Sequence, residues 1–138
     1  MKKLMKKISF FILSFFLLLG VTSCVDDVFT DEDERAAFLG TWVVSETCVR
    51  FNYEVEIKAD TDSDTKVFLY NFALAGLEYS PAYGFVKGNV VEIPSQTIGD
   101  DWTVKGSGYL KSAGKIVWNY EIVIAGDQSD CQADYDKP

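Results

Sequence analysis

The chain has 138 residues, with 13 Lys and Arg against 21 Asp and Glu, three Cys and no His. That length holds one ordinary domain, and the acidic balance excludes a nucleic-acid partner, whose phosphates are held by Lys and Arg. Lack of His removes the commonest general base, metal ligand and pH switch, and 48% hydrophobic residues excludes a disordered chain.

Four lysines (Lys2, Lys3, Lys6, Lys7) precede an apolar run over residues 8–21. As a helix its 14 residues reach about 21 Å, short of the roughly 30 Å hydrocarbon core, so the pattern predicts a secretory leader and not a membrane span. The run ends in Val21-Thr22-Ser23-Cys24, which resembles the lipobox of bacterial lipoproteins. That resemblance implies cleavage after residue 23 and acylation of Cys24, and several buried acyl chains at about 0.8 kcal/mol per CH₂ anchor a protein effectively for good. The chain left behind keeps nine basic residues against 21 acidic ones. Val25, and not Asp, follows the cysteine, so the usual inner-membrane retention signal is absent and an outer-membrane address is expected, facing periplasm or cell surface. Asp26-Asp27 and Asp31-Glu32-Asp33-Glu34 form an acidic tract. It resembles the export signals of surface lipoproteins in anaerobic gut Gram-negatives, and it equally fits a solvated spacer.

Next, Thr30 with Asp33 three residues on, then Arg35-Ala36-Ala37-Phe38-Leu39 stopped by Gly40, predicts a short helical turn. From Thr41 onward no 3.6-residue period is sustained. Period-2 alternation rich in Val, Ile, Thr and aromatics predicts eight strands, at 41–50, 51–59, 66–74, 83–87, 89–93, 102–111, 115–125 and 131–136. Turn formers Asp60-Thr61-Asp62-Ser63-Asp64, Gly88-Asn89 and Ala113-Gly114 separate several of them. Pro81 and Pro94 are expected outside strands or at their ends, where a missing N–H costs least. Gly106 and Gly108 share one face inside a strand, which reads as a bend or a close backbone approach.

With Cys24 acylated, Cys48 and Cys131 remain, and beyond the cytoplasm they are most simply one disulfide. They fall in the first and last predicted strands, which are neighbours only if the sheet closes. The expected fold is therefore all-β, an eight-stranded antiparallel up-and-down barrel with a short N-terminal helical turn. An immunoglobulin-like sandwich is the rival, although its cysteines normally sit in the second and sixth of seven strands.

Phe38-Leu39-Gly40-Thr41-Trp42 resembles the Gly-x-Trp opening of lipocalins and other calycins. The ordered set Gly40-Thr41-Trp42, Glu46-Thr47-Cys48, Ile93-Pro94-Ser95-Gln96-Thr97, Gly106-Ser107-Gly108 and Asp130-Cys131 resembles small lipocalin-like lipoproteins of gut Gram-negatives. The resemblance implies a leader over 1–23, a lipidated acidic tether and helical turn over 24–37, and a lipocalin-like barrel over 38–138. Lipocalins carry an Arg near the end of the last strand that packs on the Trp; here only Lys137 lies nearby, and Trp42 is expected to plug one barrel end.

An eight-stranded barrel is just wide enough to be filled by side chains or to hold one small ligand. The interior candidates are Trp42, Val44, Tyr53, Val55, Ile57, Leu69, Phe85, Val104, Trp118, Tyr120 and Ile122, with Trp42, Tyr53, Phe85, Trp118 and Tyr120 as ligand contacts. Asp60, Asp62 and Asp64 mimic the start of a calcium loop, but Thr65 and Asn71 stand where Gly and Glu are needed, so a solvated turn is expected. No metal, cofactor or catalytic residue is predicted: nothing activates the Ser and Thr hydroxyls, and Asp100-Asp101 reads as a turn. Two functions fit. One is a lipid-anchored binder of a small apolar or amphipathic ligand, favoured by a pocket of about 300 Å³ or more. The alternative is a solid-core accessory lipoprotein engaging an envelope protein or glycan through exposed aromatics such as Trp102, Tyr79 and Tyr83.

Overall fold

The computed structural model describes Asp33–Pro138. The expected leader, Cys24 and acidic positions 26, 27, 31 and 32 lie outside the described residues. The described chain is a closed antiparallel barrel preceded by a single 3-10 turn, Ala36–Phe38. Its strands are β1 (Gly40–Glu46), β2 (Tyr53–Ala59), β3 (Lys66–Tyr70), β4 (Ala82–Lys87), β5 (Val90–Ile98), β6 (Trp102–Ser112), β7 (Lys115–Ile124) and β8 (Asp127–Asp136). Each pairs with the next, and β8 returns to β1 in the register Val43↔Asp136, Val44↔Tyr135, Ser45↔Asp134 and Glu46↔Ala133. Closure removes the unpaired edges that an open sheet exposes and excludes the two-layer sandwich. Cys48 and Cys131 are bonded across this seam, with Cα atoms 5.6 Å apart.

Local chemistry explains where the strands depart from expectation. β1 stops at Glu46, so Cys48 follows the strand and does not lie within it. The seam ladder nevertheless runs one residue further, since the Thr47 N–H donates to the Gln132 carbonyl at 2.9 Å. β2 begins at Tyr53, leaving Phe51 outside the sheet and 62% exposed. The run expected over 66–74 breaks after Tyr70, because Asn71 adopts a left-handed φ of 68° and leads into a second 3-10 turn, Phe72–Leu74. The Asn71 side chain holds that reversal, donating to the Glu54 carbonyl and accepting from the Gly76 N–H, both at 3.0 Å.

Pro94 sits inside β5, contrary to its expected place at a strand end. A bulge between Ile93 and Gln96 absorbs it, and the Gln96 side chain replaces the lost ladder. Its amide oxygen accepts from the Tyr83 N–H and its amide nitrogen donates to the Tyr83 carbonyl, each at 2.8 Å. β8 begins four residues earlier than expected, after a tight hairpin in which Ala125 and Gly126 both have positive φ (51° and 85°), the geometry that matches sheet twist.

Ten of the eleven interior candidates are buried; Phe85 is not. The parity of β4 is set by Ala82, Gly84 and Val86, which point inward, so Phe85 lies on the outer face at 42% exposure, edge-on to Tyr83. Inside, Trp42, Trp118, Tyr135, Phe38 and Phe72 are the largest fully buried side chains. Space for them comes from β6. A Cβ on Gly108 would stand 2.6–2.7 Å from the Trp118 ring, and one on Gly106 would strike the backbone at Asn119 and Tyr120. These two glycines are the close approach expected from their spacing.

Candidate functional site

One end of the barrel is shut. Trp42 is fully buried there, its indole N–H donating to the Phe38 carbonyl at 2.8 Å. Lys137 stands over the Trp42 ring at 4.3 Å and donates to the Leu39 carbonyl at 2.6 Å, so the lysine caps the buried indole. Partial desolvation holds its ammonium below the ordinary lysine value. Trp42 is thus a plug and reaches no open surface.

The same end explains the acidic turn between β2 and β3. Nη1 of Arg35 donates to the carbonyls of Asp60, Ser63 and Lys66 at 2.9, 2.6 and 3.0 Å, while its remaining nitrogens grip the Asp33 carboxylate. That bidentate pairing lowers the Asp33 pKa and raises that of Arg35. The cation at this loop is the chain's own guanidinium. Arg35 is the one buried charged residue among the described residues.

The opposite end is a mouth. Phe72 and Ala73, carried by the second 3-10 turn, fold over it, and Phe72 packs on Trp118 and Tyr120 with ring centroids 5.6 and 4.9 Å apart. Beside them remains a cavity of about 210 Å³ lined by Glu46, Cys48, Val49, Ala73, Leu74, Trp102, Tyr120, Ile122, Ile124 and Ser129. Its walls are mostly apolar, and its one carboxylate is Glu46. The interior parity of β1, through Trp42 and Val44, places that side chain inside. Glu46 Oε2 accepts from the Tyr120 hydroxyl at 2.5 Å. Among the described residues, Glu46 Oε1, the Tyr53 hydroxyl and the Trp118 indole nitrogen are buried with no hydrogen-bond partner.

The electrostatics follow from burial. Desolvation raises the Glu46 pKa, against the pull of the Tyr120 and Tyr53 hydroxyls, which favour the carboxylate. Desolvation likewise pushes the phenols of Tyr53, Tyr120 and Tyr135 well above the ordinary tyrosine value, so all three stay neutral donors. Among the described residues no cation faces this cluster: every titratable group acting on Glu46, Tyr53, Tyr120 and Tyr135 is a tyrosine or Glu46 itself.

Of the expected ligand contacts, Tyr120 lines the mouth, Tyr53 faces the same carboxylate, and Trp118 is fully buried, packed against Phe72 and Tyr135. Trp42 is at the far end and Phe85 is outside the barrel. Trp102, expected as an exposed contact, forms part of the mouth wall and is only half-exposed. Tyr79 is exposed, and Tyr83 is half-buried beneath the Lys66 ammonium, 4.8 Å from its ring. Glu46, Val49, Ala73, Leu74, Ile124 and Ser129 line the mouth, and Phe72 folds over it, without having been expected there. For Glu46 a signal existed, since it continues the Trp42–Val44 face at period 2.

A second concavity, of about 890 Å³, lies on the outer face beside the β5 bulge. The outward side chains of Glu92, Lys105, Ser107, Asn119, Glu121 and Gln132 line it. Comparison with known proteins finds neither a matching family model nor a curated protein of similar sequence.

Proposed function

We propose that this chain is a non-enzymatic, lipid-anchored lipoprotein of the outer membrane, with a lipocalin-like up-and-down barrel whose mouth binds a small amphipathic molecule. The observation that carries the reading is the mouth cavity, where mostly apolar walls surround Glu46, whose Oε1 is buried without a hydrogen-bond partner. Recognition sites combine these features, an apolar surround and a few convergent polar groups. The cavity, at about 210 Å³, falls below the roughly 300 Å³ expected of a binder, and Phe72, Trp118 and Tyr135 fill the barrel beneath it, which by that criterion weighs toward the solid-core alternative and leaves only the rim open to a ligand. The occupant is accordingly a small molecule held at the rim and not a long chain threaded down the axis. Sequential strand order, the Trp42 plug with Lys137 above it and the short preceding turn support the lipocalin-like reading. The leader pattern and Cys24 support the anchor.

Native mass spectrometry of the acyl-free mature protein, purified from its own host, tests the reading. A reproducible small-molecule adduct is expected; a bare polypeptide mass across several growth conditions overturns it. Cys24→Ala is expected to release the protein from membranes, and continued membrane fractionation would refute the anchor. The outer concavity favours the second reading, an accessory lipoprotein that meets an envelope protein or glycan along β5 to β8. Enzyme chemistry is not part of either reading.

A further inference from the structure

We infer that the occupant of the mouth is a small primary amine, an ammonium group on a compact apolar body. The inference rests on the mouth-binding reading and adds the chemical class. The Glu46 carboxylate has one oxygen committed to the Tyr120 hydroxyl and the other buried without a donor. A carboxylate oxygen removed from water and left unpaired is costly, more so than a neutral acceptor. What it lacks is a donor, and a positive one, since no Lys or Arg approaches it. The Tyr53 hydroxyl faces the same carboxylate and favours its ionised form, yet makes no well-formed hydrogen bond, although Tyr53 is only 8% exposed. An ammonium has three donors. Seated between these groups, it gives one to Glu46 Oε1 and one to the Tyr53 oxygen, and a third remains for the rim, where Ser129 lies.

The walls select the remainder of the molecule. Trp102 and Tyr120 offer aromatic surface, which attracts a cation as well as an apolar body. The volume, about that of seven liquid waters, admits a single ring or a short alkyl chain. An anionic amphiphile is disfavoured, because its head would meet Glu46, with Asp127 and Asp130 on β8 beyond it. A neutral alcohol of the same shape fills the walls but leaves the charge unmatched.

The test titrates the mature barrel with 2-phenylethylamine, 2-phenylethanol and 3-phenylpropanoate by calorimetry, following tryptophan fluorescence in parallel, for wild type and Glu46→Gln. Gln keeps the volume and an acceptor for Tyr120, and its melting curve reports whether the variant folds. The amine is expected to bind about ten- to hundredfold tighter than the alcohol, and to lose a similar factor in Glu46→Gln, the range of a hydrogen bond to a charged group. Equal affinity for amine and alcohol, preference for the carboxylate, or an amine affinity unchanged in a folded Glu46→Gln overturns the amine assignment while leaving mouth binding in place. Failure of all three probes to bind or to shift tryptophan emission overturns both. If Glu46→Gln does not fold, Tyr53→Phe, which removes only the second acceptor, must still weaken the amine more than the alcohol.

Discussion

Replacing Cys48 with Ser opens the covalent seam between β1 and β8 without disturbing the core, because Cys48 is exposed whereas Cys131 is 2% exposed. The bond ties residues 83 positions apart. In the chain-entropy model, closing a loop of that length removes about 4.5 kcal/mol of freedom from the unfolded chain, against a usual range of about 2–4 kcal/mol. At about 2.1 cal/mol/K of unfolding entropy per residue over Asp33–Pro138, those figures correspond to a Tm lower by about 10–20 °C. The native barrel should persist, since the seam keeps four paired residues and the Thr47–Gln132 bond. Thermal melts by circular dichroism, with and without reductant, provide the assay. Wild type under reductant should fall to the level of Cys48→Ser, and the variant should not respond to reductant. Coincident melting of wild type and variant under oxidising conditions would refute the reasoning, and so would a fall in the variant's own Tm on adding reductant.

Two further substitutions probe the interior. Gly108→Ala places a Cβ against the Trp118 ring and should cost about 1–3 kcal/mol through overpacking, read as a lower Tm; an unchanged Tm would show that Trp118 gives way freely. Glu46 makes stability depend on pH with a definite sign. Burial raises its pKa in the folded state above the ordinary 4.5, so its favourable contribution is full below that value and is lost as pH rises through the folded value. Urea unfolding of wild type should show stability declining with pH across that window, relative to Glu46→Gln; parallel profiles would refute the desolvated carboxylate.

Strand chemistry written at period 2 was legible, and it carried the barrel. Trp42 and Val44 in β1, Tyr53, Val55 and Ile57 in β2, and Ile116, Trp118, Tyr120 and Ile122 in β7 face inward as their alternation predicts, because one buried face per strand leaves a single workable parity. The same logic failed where tertiary contacts outweigh local pattern. Phe85, though strongly apolar, faces outward because Gly84 must give way to Val91 and the Glu92 carbonyl. Pro94 stays within a strand because a glutamine thirteen residues from Tyr83 supplies the missing ladder bonds.

By itself the sequence determined the all-β class, the pairing of Cys48 with Cys131 and the Trp42 end, since alternation, cysteine count and a plug residue are local or nearly local signals. Only the tertiary structure decided that Arg35 holds the acidic turn, that Phe72 folds over the mouth, and that Glu46 faces inward with an oxygen unpaired. These depend on which distant groups meet when the ends of the sheet close. A carboxylate on a core-facing position acquires its meaning from the donors that fail to reach it, and that shortfall exists only in three dimensions.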